Sequence, residues 1–181
     1  KILTLALTEP SASYTQEGIE TEARADGDDY VISGNKLFVP DAHVADYMVC
    51  AARTGDRITL FLVDTATPGI STTILKTIAS DKLCEVAFDR VRVPKANVLG
   101  EVGGGWVLVE NILQRAAAAK CAEMVGGAQQ VLEMTVDYTK QRIQFGRPIG
   151  SFQAIQHHCA NMAIDVDGCR FITYQAAWML S

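Results

Sequence analysis

Residues 141–153 read Gln-Arg-Ile-Gln-Phe-Gly-Arg-Pro-Ile-Gly-Ser-Phe-Gln, and this stretch holds the residue types best suited to gripping a polar ligand. Arg142 offers a planar fork of donors matched to phosphate oxygens. Gln153 carries an amide that both donates and accepts. Phe145 lies between them, and Gly146, Pro148 and Gly150 break the helical pattern that runs up to the stretch and resumes after it. The same residues also suit an ordinary helix–helix turn with an exposed arginine.

Two long helices must hold that turn. From Trp106 to Gln141 there is no proline, and Val109, Ile112, Leu113 and Ala116 recur at helical spacing, as do Val125, Ala128, Leu132 and Val136. A second helix is expected from about Phe152 to at least Leu180, with Ile155, Cys159, Met162 and Val166 on one face and Ser151 as its N-cap. Two antiparallel helices cannot bury both apolar faces alone, so they read as part of an incomplete four-helix bundle.

Before Gly103-Gly104-Gly105 the chain reads as β. Ile19–Ala25 alternates with period two, and Asp26-Gly27-Asp28-Asp29 turns it into Tyr30–Ser33. Ser33-Gly34-Asn35 suggests a second turn before Lys36–Val39. Tyr47–Ala52 is a continuous apolar run, as a strand buried on both faces would be. Further strands are expected at Ile58–Asp64, Ile70–Leu75 and Glu85–Val93. The fold class is therefore α+β: an all-β barrel or sandwich over residues 1–103, then two long antiparallel helices over 104–181.

Composition narrows the function. The 181 residues are 49% hydrophobic and 20% charged, which suits a globular chain with a full core. Sixteen basic against twenty-one acidic residues give a formal charge of -5, unlike a nucleic-acid surface. No apolar run is long enough to span a bilayer, and no charged-then-apolar leader opens the chain. The five cysteines show no close pair, so free thiols and a reducing compartment are expected. His43, His157 and His158 stand at no metal-ligand spacing, and no metal site is expected.

The run Arg142-x-x-Phe145-Gly146-x-Pro148-Ile149-x-x-Phe152-Gln153 resembles the cofactor-binding turn of the acyl-CoA dehydrogenase family. Other segments resemble that family in order: Thr8-Glu9-Pro10, Gly34-x-Lys36-x-Phe38-Val39, Leu62-Val63-Asp64, Pro68-Gly69, Phe88-Asp89-x-Val91-x-Val93-Pro94 and Asn97-Val98-Leu99-Gly100. The resemblance spans essentially the whole chain, as the family's middle β domain followed by the first helices of its C-terminal domain. It implies FAD as cofactor, bound through Leu7, Thr8, Phe38, Val39 and Pro40 and, across a subunit interface, through Arg142, Phe145, Phe152 and Gln153. It implies an acyl-CoA substrate met by Tyr14, an electron-transferring flavoprotein or similar acceptor, and a homo- or hetero-tetramer. A role in fatty acid metabolism follows, in the cytoplasm or, in a eukaryote, the mitochondrial matrix.

Departures from the family pattern bear on mechanism. The usual Gly-x-Gly-Ser-Asp is replaced by Ser11-Ala12-Ser13-Tyr14-Thr15, which puts Tyr14 at the family serine, with Ser13 or Thr15 able to substitute. Phe38 falls at the flavin-stacking tryptophan and keeps a π-face without the indole N–H. Pro40 falls at the threonine that hydrogen-bonds near flavin N5 and has neither hydroxyl nor N–H. Ala117 takes the place of the substrate-facing arginine, and Ala116 the place where some members carry their catalytic glutamate. No catalytic residue is assigned, since Glu101, Glu110, Glu123 and Glu133 read as solvated charges. The implied reaction is α,β-dehydrogenation of an acyl-CoA thioester, with residues 1–181 alone expected to be inactive. A monooxygenase or reductase on the same fold, or a non-catalytic subunit that shares FAD with its neighbour, are the alternatives.

Overall fold

The computed structural model describes residues 1–181, which divide into two compact units, Lys1–Val109 and Glu110–Ser181. The first unit is built on strands β1 (Leu3–Ala6), β2 (Glu22–Asp26), β3 (Asp29–Pro40), β4 (Tyr47–Thr54), β5 (Arg57–Asp64), β6 (Ile70–Ile74), β7 (Leu83–Pro94) and β8 (Val98–Leu99). They form one mostly antiparallel sheet in the order β6-β7-β3-β2-β4-β5-β8, with β1 added in parallel beside β4. Two-residue loops close the β2–β3 and β4–β5 hairpins, and Gly27 and Gly55 supply the positive φ at the first loop position of each.

Strands β6 and β8 end the pairing path, so no barrel is closed. The sheet instead folds over itself, as in a sandwich. Tyr30 of β3 meets Phe61 of β5 edge-on with ring centroids 5.0 Å apart, although two strands separate them in the pairing order. Ile32, Val86, Val91 and Val93 pack in one cluster with Met48, Cys50, Phe61 and Val63. The continuous apolar run of β4 is explained by its place inside the sheet, where Met48, Cys50, Ala51 and Ala52 are all fully buried.

One expected turn is absent. Ser33-Gly34-Asn35 does not reverse the chain; β3 continues through it to Pro40, with a register shift against β7 between Ile32 and Gly34. Gly34 is needed there by close approach, because a Cβ would stand 2.5 Å from Thr21 Oγ1 and 2.7 Å from Thr21 Cα. A polar Ser-Gly-Asn triplet signals a turn and a bulge alike.

Helix α1 runs Gly105–Gln141 and α2 runs Gln153–Met179. The first turn of α1 belongs with the β unit, where Val109 is fully buried. In the second unit the helices are antiparallel. Arg170 of α2 donates to Gln129 Oε1 of α1 at 2.7 Å, while Gly150, just before α2, lies against the Thr139 carbonyl near the end of α1. No helix is long and apolar enough to cross a membrane. Ser151 is not the N-cap of α2. Phe152 holds that position, and Ser151 donates instead to the Pro148 carbonyl at 2.7 Å within a 3₁₀ turn over Ile149–Ser151.

Candidate functional site

The sequence-derived site residues fall into two local sets, one in each unit. In the first, the chain leaving β1 runs beside the end of β3. The Leu37 N–H donates to the Thr8 carbonyl at 2.8 Å, which brings Leu7 and Thr8 alongside Phe38. Phe38 occupies the left-handed region at φ 56°, at a second register shift of β3 on β7 between Lys36 and Val39. That conformation is costly for an aromatic residue and turns a ring that is 47% exposed out of the strand. Leu7 and Val39 are buried, so each offers its backbone rather than its side chain. Pro40 ends β3, and its carbonyl accepts from Thr4 Oγ1 at 2.6 Å.

Beneath this set lies an ion pair that motif reading did not assign. Glu9 and Lys36 are buried, with side chains 3% and 0% exposed, and Lys36 Nζ stands 2.6 Å from Glu9 Oε1. Lys36 also donates to the Leu7 carbonyl at 3.2 Å, and Glu9 accepts from the backbone N–H groups of Glu20 at 2.7 Å and Thr21 at 3.1 Å. Burial raises the carboxyl pKa, but the Lys36 charge and these hydrogen bonds outweigh it and hold Glu9 below the ordinary carboxylate value. The pair thus ties Leu7-Thr8-Glu9 to the strand that presents Phe38. Both halves were visible as the Thr8-Glu9-Pro10 and Gly34-x-Lys36 motifs, but nothing in sequence joins an acid and a base 27 residues apart.

Residues 10–20 loop out from this clamp. Arg53 holds the loop by donating to the Ile19 and Gln16 carbonyls, each at 2.9 Å. Ser13 Oγ and Thr15 Oγ1 hydrogen-bond each other at 3.1 Å, and Tyr14 between them is exposed. Of the three hydroxyls considered for the family serine's place, Tyr14 is therefore the one not engaged within the loop pair.

The second set is the turn between α1 and α2. The Arg142 N–H donates to the Tyr138 carbonyl, and the Arg142 carbonyl accepts from the Ile149 N–H, each at 2.8 Å. A two-rung ladder pairs Gln144 with Arg147 and Ile143 with Pro148. Phe145 at the tip has φ 54° and is 91% exposed. Its ring meets Phe152 edge-on at 6.0 Å, and the Arg147 guanidinium lies 4.1 Å from the Phe152 ring centroid. Arg142 and Gln153 are exposed. A guanidinium, an amide and an outward aromatic ring on one rigid turn form a donor set for a phosphate joined to a flat heterocycle.

A β domain followed by a helical hairpin, with an exposed arginine, amide and aromatic ring on the turn, is the class these features define. Residues 4–91 match the acyl-CoA dehydrogenase middle domain, and residues 103–181 match the acyl-CoA dehydrogenase C-terminal domain. The chain is 34% identical over 188 residues to the short/branched chain specific acyl-CoA dehydrogenase of Bos taurus, covering 99% of this chain and 44% of the relative. It is also 34% identical over 192 residues to the 3-(aryl)acrylate reductase of Clostridium sporogenes, covering 99% of this chain and 50% of the relative. A solved FAD-dependent dehydrogenase superposes with a TM-score of 0.93 at 32% identity, over 99% of this chain and 50% of that one. This chain belongs to the acyl-CoA dehydrogenase family. It spans about half the length of the relatives it matches.

Proposed function

We propose that this chain serves in the FAD-dependent α,β-dehydrogenation of an acyl-CoA thioester. The observation that carries the proposal is the turn constellation, in which Arg142, Gln153 and the outward Phe145 all lie where α1 passes into α2. Arg142 would hold the FAD pyrophosphate through charge-assisted hydrogen bonds, Gln153 would pair with polar atoms of the adenosine end, and Phe145 with Phe152 would supply an aromatic wall. In the β unit, Thr8, the backbone of Leu7 and Val39 and the exposed ring of Phe38 would hold the flavin ring. Pro40 brings no donor to that ring, so any hydrogen bond at flavin N5 comes from another group.

Bound FAD supplies the two-electron acceptor for the hydride that leaves the β-carbon. The α-proton needs a carboxylate base, and Glu9 is not that base, because it is buried against Lys36. Tyr14 reaches from the exposed loop toward the acyl-CoA. Apolar side chains exposed on the helices, among them Met124, Val131, Ile164 and Phe171, support assembly as a homo- or hetero-tetramer in which the turn serves a neighbouring subunit. An electron-transferring flavoprotein is the proposed acceptor and fatty acid metabolism the proposed setting. Free cysteines favour the cytoplasm or mitochondrial matrix. The likeness to the 3-(aryl)acrylate reductase supports a second reading, in which the same flavin chemistry runs toward reduction of a double bond.

The test is FAD affinity in the Arg142→Ala variant. Losing a charge-assisted phosphate contact costs about 1.5–3 kcal/mol, so FAD should bind roughly ten- to a hundredfold more weakly. Unchanged affinity would remove the turn from the cofactor site.

A further inference from the structure

We propose that Arg147 is a positioning residue of the turn, whose guanidinium on Phe152 sets Phe145 outward and edge-on for the nucleoside end of a dinucleotide cofactor. The inference rests on the assignment of the turn to FAD made above. Phe145 poses the problem. A non-glycine residue at φ 54° is disfavoured, and a ring 91% exposed gains little from burial to offset that cost. Something must hold it. The ladder at Gln144–Arg147 fixes the backbone, and the ring itself has one aromatic neighbour, Phe152, at 6.0 Å and 87°.

Phe152 in turn needs an anchor. It is the residue before the first turn of α2, with extended backbone angles, φ -88° and ψ 130°, and its side chain makes no capping hydrogen bond. A contact on its ring can fix its rotamer against Phe145. Arg147 provides one, with its cationic carbon 4.1 Å from the ring centroid, well inside the range of a cation–π contact. A guanidinium is flat and can stack, so it orients the ring as well as attracting it. The order Arg147, Phe152, Phe145 is thus a relay of contacts from a side chain in the ladder to the ring at the tip. The Arg142 carbonyl accepts from the Ile149 N–H, so the backbone that carries the phosphate-binding cation belongs to the same turn as the relay.

Two readouts test this, one of them free of cofactor. In the cofactor-free protein, the nuclear Overhauser cross-peak between the Phe145 and Phe152 rings should be strong. It should be lost in Arg147→Ala and kept in Arg147→Lys, whose ammonium can still cap the ring. FAD affinity should fall roughly two- to fivefold in Arg147→Ala, the worth of an exposed cation–π contact, and recover most of that in Arg147→Lys. Phe152→Leu should cost about as much as Arg147→Ala, and the double variant no more than either alone, because the two act in series. An unchanged cross-peak in Arg147→Ala, or additive losses in the double variant, would overturn the relay. If Arg142→Ala keeps full FAD affinity while Arg147→Ala still loses the cross-peak, the relay stands and the FAD assignment of the turn falls.

Discussion

Replacing Glu9 by Gln should be among the most destabilising single changes in the β unit. The substitution keeps size and shape, so the amide oxygen can still accept from the Glu20 or Thr21 N–H, but it removes the charge opposite Lys36. Lys36 is then a fully buried ammonium with neutral acceptors, the Leu7 carbonyl at 3.2 Å among them, and no counter-charge. Breaking one side of a buried pair costs about 3–5 kcal/mol, against roughly 5–15 kcal/mol for the whole stability of a typical domain. An exposed pair makes the contrast. Lys120 and Glu123 stand 2.6 Å apart on α1 with side chains 65% and 70% exposed, and Glu123→Gln should cost under about 1 kcal/mol. Urea unfolding followed by circular dichroism measures both. In Glu9→Gln/Lys36→Met the stranded charge is gone, so the double variant should be less destabilised than the sum of the singles by about 2 kcal/mol. A Glu9→Gln loss below about 1 kcal/mol, or strict additivity, would refute the clamp.

The same carboxylate should shape acid stability. Its folded pKa lies below the ordinary 4.5, so between those two values the unfolded chain holds more protons and stability falls as pH falls. Urea midpoints across that window should drop more steeply in the parent than in Glu9→Gln, and equal slopes would contradict the assignment. Phe38→Gly removes both a strained left-handed residue and a half-exposed ring, two effects of opposite sign that should leave stability within about 1 kcal/mol. FAD titration of the same variant should show clearly weaker binding, and intact affinity would take Phe38 out of the flavin site. Gly105→Ala would place a Cβ 2.8 Å from Leu60 N and 3.0 Å from the Ile58 carbonyl oxygen, both backbone atoms of β5. Such overpacking should cost about 1–3 kcal/mol in a urea melt, since neither atom can move aside without distorting the sheet.

The fold was legible where local signals and burial agree. The glycine-led hairpins, the long apolar run of β4 and the helical spacing of α1 each reflect a constraint within a few residues. Gly34 is decided by a partner far along the chain, and Ser151 by a local 3₁₀ turn that competes with the cap geometry its residue type signals. Gly34 answers to the approach of Thr21, which lies in a different segment well upstream, and Ser151 answers to Pro148 through a 3₁₀ turn that takes it out of cap position. The turn residues Arg142, Phe145 and Gln153 were visible because one hairpin carries them all. The Glu9–Lys36 clamp was not, because an ion pair across 27 residues leaves no periodic trace. Arg147 was passed over for a related reason: a lone arginine between Gly146 and Pro148 shows no partner until the Phe152 ring is placed against it.

Anaerobic titration of the FAD-loaded protein taken over the full length of its relatives, rather than residues 1–181 alone, with short-, medium- and long-chain acyl-CoAs, followed by flavin absorbance, tests the functional claim most directly. At least one of these thioesters should bleach the oxidised flavin band without oxygen, and Arg142→Ala should lower the fraction of protein able to respond in step with its lost FAD. An oxidised spectrum that stays unchanged under every acyl-CoA, in protein with full FAD content, would contradict it.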